Sequence, residues 1–162
     1  MNKKGFTLME LLIVVVIIAG MAAITYPSYR STLERARASE AVNMIGAIQA
    51  AQQKHLVNYE EYGATFQDIN DFEPSISNFD PTSDNFDTEY FRYTITRTMV
   101  APAAIAERID KQGNVINKGY KLLGIYSADH IRCIVLNNSE EGEKVCSSLT
   151  DRDKIEDYYP IY

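Results

Sequence analysis

The sequence has no tryptophan, two cysteines and two histidines among its 162 residues. Little material is left for a metal centre. His55 and His130 lie far apart, and neither an HExxH nor a Cys/His ligand spacing occurs. Both read as ordinary polar residues. There is no Ser/His/Asp set, nucleophile elbow, phosphate-binding loop or Gly-rich dinucleotide motif. No enzyme class finds support, and no cofactor is expected. Positive charge is in the minority, with 16 Lys+Arg against 22 Asp+Glu and a net charge of -6. Such a chain is a poor general partner for nucleic acid. Charged residues at 23% and hydrophobic ones at 46% are ordinary for a globular protein. That excludes a disordered chain and a multi-span membrane protein, and the length is about one domain.

What is present is unevenly placed. Residues 1–56 hold Lys3, Lys4, Arg30, Arg35, Arg37 and Lys54 against Glu10, Glu34 and Glu40, a balance of +3. Residues 57–162 hold the other ten basic and nineteen acidic residues, a balance of -9. After Met1-Asn2-Lys3-Lys4-Gly5 an almost continuous apolar run extends from Phe6 to Tyr26, broken by Thr7, Glu10, Gly20 and Thr25. As a helix this run is roughly 31 Å long, matching a hydrocarbon core of about 30 Å. A lone segment in lipid must close its own hydrogen bonds, so helix prevails over strand despite the β-branched Val14 to Ile18. Lys3 and Lys4 place the N-terminus on the cytoplasmic side. A cleaved signal peptide, with Gly20-Met21-Ala22 as its small-x-small site, and a plain signal anchor both fit these features.

Glu10 discriminates. A carboxylate near the centre of a spanning helix costs roughly 2.5 to 3.5 kcal/mol, and an ordinary signal peptide has no use for one. Near a helix start the dipole and the headgroups soften that cost. The stretch Gly5-Phe6-Thr7-Leu8-Met9-Glu10-Leu11-Leu12-Ile13 resembles the class III signal of type IV pilins and of the pseudopilins of type II secretion. Tyr26-Pro27-Ser28-Tyr29 and the Ala/Arg-rich run after it fit the same family. The resemblance is strongest over residues 1 to about 60. It implies cleavage after Gly5 by a prepilin peptidase and N-methylation of Phe6. It also implies pairing of Glu10 with the Phe6 amine of a neighbouring subunit, and loss of helicity between Gly20 and Pro27 on assembly.

From Ser28 the pattern becomes amphipathic, with Leu33, Ala41, Met44, Ile45, Ile48, Leu56 and Tyr59 near a 3.6-residue spacing. One helix is expected from about Phe6 to about Val57, kinked at Pro27, which lacks a helix donor. Residues 60–89 carry nine acids and no Lys or Arg, with Pro74 and Pro81 as punctuation. They read as loop, with one short helical turn near Phe66 to Phe72. Strands are expected at Tyr90–Val100, Ala103–Ile109, Gly119–Tyr126 and Ile131–Leu136, with a turn at Asp110 to Asn114. About four antiparallel strands need a cover, and the helix stripe supplies it. The fold class is α+β: leader 1–5, transmembrane or filament-core helix 6–27, amphipathic half 28–57 and globular head 58–162.

With the N-terminus inside, Cys133 and Cys146 lie in an oxidising compartment, where pairing is the expected state. Closing the ring of roughly 14 residues contributes about 3 kcal/mol in the chain-entropy model. Asn137 to Gly142 reads as a polar turn between them. The family resemblance also implies a C-terminal disulfide-bounded region, commoner in pilins than in major pseudopilins. Two acidic groups are calcium candidates. Asp80, Asp84 and Asp87 do not match an EF-hand, and Asp151, Asp153, Glu156 and Asp157 take their candidacy from the calcium loop of major pseudopilins. For each, a solvated face is the default. The eleven Tyr, among them Tyr158, Tyr159 and Tyr162, read as core and interface material.

Together the residues and the resemblance imply a single-pass protein of the bacterial inner membrane. Its partners would be further copies of itself in a filament, the peptidase and an inner-membrane assembly platform. The product would be a surface pilus or a periplasmic pseudopilus. Rival readings are a type II secretion pseudopilin, a minor pilin for adhesion or DNA uptake, and a secreted soluble domain.

Overall fold

The computed structural model describes residues 6–69, 72, 74, 76, 79–96, 103–116, 119–126, 131–137 and 139–149. A helix, α1, runs from Leu8 to Tyr59, 52 residues or about 78 Å. Thr7 caps it: its hydroxyl accepts the Glu10 N–H at 3.2 Å, and the Glu10 carboxylate accepts the Thr7 N–H at 2.9 Å. This reciprocal box satisfies two of the donors that a helix start leaves orphaned. The helix continues through Gly20 and Pro27. It stops at Glu60, whose left-handed φ of 59° turns the chain while its N–H donates to the Leu56 carbonyl.

Five strands follow: β1 (Asn85–Asp87), β2 (Phe91–Thr96), β3 (Ala103–Arg108), β4 (Gly119–Ile125) and β5 (Ile131–Leu136). They pair antiparallel in sequence order, as a chain of short connections favours. One row of side chains crosses the sheet through Phe86, Tyr93, Ala106, Leu122 and Cys133. Along β2 the aromatic and aliphatic residues Phe91, Tyr93 and Ile95 are buried, while Arg92, Thr94 and Thr96 are half-exposed. That alternation is the period of two that puts every second side chain on one face. A second helix, α2 (Glu140–Leu149), buries Gly142, Val145 and Cys146 and packs on α1, β4 and β5.

The core lies between the far half of α1 and the sheet. Ala38, Ala41, Ile45, Ile48 and Ala51 form the buried stripe, stepping by three or four as a helix face requires. At Gly124 the approach is so close that an added Cβ would sit 2.2 Å from Ile45 Cγ2. At Gly142 a Cβ would meet the Gly119 carbonyl oxygen at 2.2 Å, so α2 rests directly on the β4 backbone.

Several expectations need correction. The α+β class stands as expected, and the antiparallel sheet has five strands where about four were expected, because β1 forms inside the acidic loop. Asn137 to Gly142 is not a simple turn: Ser139 accepts the Gly142 N–H on its hydroxyl and the Glu143 N–H on its carbonyl, starting α2. Leu33 and Tyr59 are exposed and fall outside the buried stripe. The stretch near Phe66 to Phe72 makes tight turns, Asp68 N–H to Thr65 and Phe72 N–H to Ile69, rather than a helical element. The tail of the first expected strand, 97–100, lies outside the described residues, as do His130, Asp71 and Glu73.

Candidate assembly surface

The near half of α1 has no cover. Twelve large apolar side chains from Leu8 to Ile24 are exposed, and Phe6 before them is 83% exposed. The stretch is long and apolar enough to cross a membrane. The one carboxylate in it, Glu10, is held by Thr7, whose hydroxyl also donates to it at 2.8 Å. Phe6 stands directly before this cap, so the carboxylate and the Phe6 backbone share the helix start. Gly5 lies outside the described residues. Nothing lies within 4 Å of a Cβ built at Gly20, so packing within the chain does not demand glycine there. Pro27 lies within α1.

The far half of α1 is fastened to the head by polar contacts as well as by the stripe. Gln52 is fully buried. Its side-chain N–H donates to the Gly63 carbonyl at 3.0 Å, and its oxygen accepts the Gly63 N–H at 2.9 Å. This pair pins the loop that leaves α1. Gln49 donates to the Ile125 carbonyl at 3.0 Å and Gln53 to the Tyr126 carbonyl at 2.5 Å, tying the helix to the end of β4. Lower on α1, the half-buried Glu34 accepts Arg37 and, at 3.1 Å, Arg108 of β3. Arg108 also donates to the Tyr90 carbonyl at 2.7 Å, and Arg37 stacks over the Tyr90 ring at 4.3 Å. Beyond α1, Phe66, Phe72, Phe79 and Phe86 interlock with centroids between 5.0 and 5.9 Å. The loop from 60 to 89 therefore has an aromatic core despite its acidic composition.

Cys133 of β5 and Cys146 of α2 are joined by a disulfide, with their Cα atoms 5.4 Å apart. It locks α2 onto the sheet edge. Asp80 caps its own turn through the Thr82 N–H and hydroxyl, at 2.9 and 2.7 Å. Both bonds hold its carboxyl below the usual range, the hydroxyl bond contributing most. Asp87 pairs in fork geometry with Arg92, at 2.8 and 2.7 Å. Neither these two nor Asp84 belongs to a cluster of three or more ligand-type side chains among the described residues. Asp151, Asp153, Glu156 and Asp157 lie outside the described residues, with Tyr158, Tyr159 and Tyr162. The sequence reading missed the three glutamines, the Glu34–Arg108 pair and the phenylalanine cluster. Polar residues on an otherwise apolar stripe are the signal that marks Gln52.

A model of the prokaryotic N-terminal methylation motif matches residues 1–26. The chain is similar to the fimbrial protein EcpC of Eikenella corrodens, 47% identical over 49 residues, which is 30% of this chain and 32% of that protein. It is similar to the type IV major fimbrial protein FimA of Dichelobacter nodosus, at 38% over 64 residues, 40% of this chain and 41% of FimA. Similarity to the type IV major pilin protein PilE1 of Neisseria gonorrhoeae is 35% over 60 residues, covering 37% of this chain and 36% of PilE1. The matches span about a third of the length of the first curated relatives. No solved structure matches the chain.

Proposed function

We propose that the chain, whose residues 1–26 match the prokaryotic N-terminal methylation motif and whose first third is similar to type IV fimbrial proteins, is a structural subunit of a type IV pilus-like filament, polymerised through α1. One observation carries this reading. The apolar first stretch of α1 stands uncovered beside the head, and the one carboxylate in that stretch sits five residues after the proposed cleavage point. On this reading a prepilin peptidase cuts after Gly5 and Phe6 is N-methylated. The protein waits as a single-pass inner-membrane subunit with its N-terminus cytoplasmic, then passes to a surface filament through an assembly platform. Glu10 then meets the Phe6 amine of a neighbour, since charges drawn into a packed bundle need each other. The Gly20 to Pro27 zone, with no packing demand at Gly20, is where α1 yields on assembly.

The names of the relatives and the disulfide favour a pilin over a secretion pseudopilin. Nothing specific favours a minor pilin. Electron microscopy of surface filaments, with mass spectrometry of the mature chain, tests the proposal. The expected N-terminus is N-methylated Phe6; a chain starting at Ala23 would establish the signal-peptide rival instead. Glu10→Leu should insert into membrane at least as well as the parent, since a costly charge is gone, yet yield few filaments. Normal filament yield would remove the role assigned to Glu10.

A further inference from the structure

A groove of about 250 Å³ opens where α1 leaves its apolar stretch and the first turn of α2 comes alongside. Tyr26, Tyr29 and Leu33 give it aromatic and apolar walls. Arg30 and Glu141 give it one exposed charge of each sign, and the Glu34–Arg37 pair completes the lining. Arg30 forms no ion pair among the described residues.

The height of the groove on α1 says what it faces. Leu8 to Tyr26 as helix is about 28 Å long, close to the roughly 30 Å of a hydrocarbon core. Tyr26 therefore stands at the hydrocarbon boundary, where tyrosine is favoured. Arg30 lies about 6 Å beyond it, inside the headgroup layer that adds roughly 5 to 7 Å on each side. The groove thus continues the apolar face of α1 into the layer of phosphates.

We propose that this groove binds the headgroup of one phospholipid of the phosphoethanolamine class while α1 spans the membrane. The proposal rests on the membrane-spanning reading above. The Arg30 guanidinium takes the phosphate, for which its planar donor fork is suited. Glu141 takes the primary ammonium, with the tyrosine faces beside it as cation–π partners. The acyl chains follow the exposed side chains between Leu8 and Ile24. Charge sets the selectivity. Glu140, Glu141 and Glu143 crowd the first turn of α2, and residues 57–162 carry a balance of -9. An anionic headgroup without an ammonium meets repulsion at that lip, whereas a zwitterionic one satisfies both ends of the groove.

The test uses the full chain in nanodiscs of equal phosphatidylethanolamine and phosphatidylglycerol, transferred to mild detergent and weighed by native mass spectrometry. The expected spectrum shows one retained phosphatidylethanolamine on the parent chain. Arg30→Gln should lower the retained fraction about ten-fold, the effect of losing one hydrogen bond between charged groups. Glu141→Gln should keep a lipid but lose the preference for phosphatidylethanolamine. Both side chains are exposed, and circular dichroism with the intact disulfide mass checks that the variants fold. Three results would each overturn the proposal: no retained lipid, equal retention of the two lipids by the parent, or no effect of Arg30→Gln. A lipid-free dimer in place of the adduct would assign the groove to a second copy and overturn it as well. Filament yield is scored separately. Parent cells without filaments would remove the subunit reading while leaving lipid retention to be judged by its own spectrum.

Discussion

Gln52→Met separates the polar fastening of the head from its packing. Methionine has the length and flexibility of glutamine but neither of its hydrogen-bonding groups. No large cavity opens, so the cost comes from the Gly63 N–H and carbonyl, both held only by Gln52 in a buried setting. A buried backbone group left without a partner costs about 1 to 3 kcal/mol. Two of them, each toward the lower half of that range, cost about 3 kcal/mol together. For a chain of this size each kcal/mol moves Tm by roughly 3 °C, so a fall of about 10 °C is expected. Calorimetry of the full chain in detergent reads it directly. Gln53→Met is the control: it removes one bond, to Tyr126, from an exposed side chain, and should cost less than about 1 kcal/mol. Gln52→Glu should cost at least as much as Gln52→Met at neutral pH, since it buries a carboxylate and sets one of its oxygens against the Gly63 carbonyl oxygen. If Gln52→Met shifts Tm by no more than Gln53→Met, the buried pair does not hold the loop and the argument fails.

Gly124→Ala should destabilise by about 1 to 3 kcal/mol through overpacking, because its Cβ would fall 2.2 Å from Ile45 Cγ2. Adding Ile45→Ala should make the double variant less unstable than the two single costs summed. Reduction of Cys133–Cys146 should lower stability by about 3 kcal/mol, read as a drop in the melting midpoint with cooperativity retained. Burial pushes the hydroxyls of Tyr93, Tyr120 and Tyr126 up from the ordinary tyrosine range. The folded state then holds protons that the unfolded state releases above a pH of about 10. The associated stability is fully present below that pH and is lost as pH rises beyond it. Alkaline titration should ionise these three together with unfolding; their ionisation in an intact head would contradict the burial.

The elements most legible in the sequence are those whose burial follows a period. The apolar run ahead of Pro27 reads as helix because length and lipid leave one choice. β2 reads as strand because Phe91, Tyr93 and Ile95 alternate with polar residues. α2 was not read, since Gly142 and the polar residues before it look like a turn. Its own signals are Ser139 as cap and three acids in the first turn, which favour a helix start. What holds this short helix in place is tertiary, the disulfide and the contact on β4. The middle of the core stripe, Ala41, Ile45 and Ile48, is buried as expected, but its ends were misplaced. Small residues, Ala38 and Ala51, extend the buried stripe, while the larger Leu33 and Tyr59 are exposed. A hydrophobicity pattern weights size, whereas close approach selects for its absence. Glu34 and Arg108 are 74 residues apart, and no local pattern pairs residues at that separation.

The two halves of α1 pose opposite problems, and the contrast bears on function more than either half alone. The far half is buried on the head and fastened by three glutamines, so the head needs nothing further. The near half leaves twelve large apolar side chains uncovered. At about 1.5 to 3 kcal/mol for each full burial, covering them is worth on the order of 20 kcal/mol even after discounting for partial exposure. That exceeds the 5 to 15 kcal/mol that typically holds a whole domain folded. Among the described residues nothing of the head covers them, and lipid and other helices are the two covers of matching chemistry. Lipid accepts all twelve side chains but penalises Glu10 by roughly 2.5 to 3.5 kcal/mol where it lies deep. On the proposed filament reading, a bundle of identical helices would accept the same twelve and would set the Phe6 amine of a neighbour against Glu10. The apolar term is nearly equal in the two settings, so on the proposed reading the one carboxylate would decide the direction of transfer, and the low filament yield expected of Glu10→Leu is the measurement that checks it.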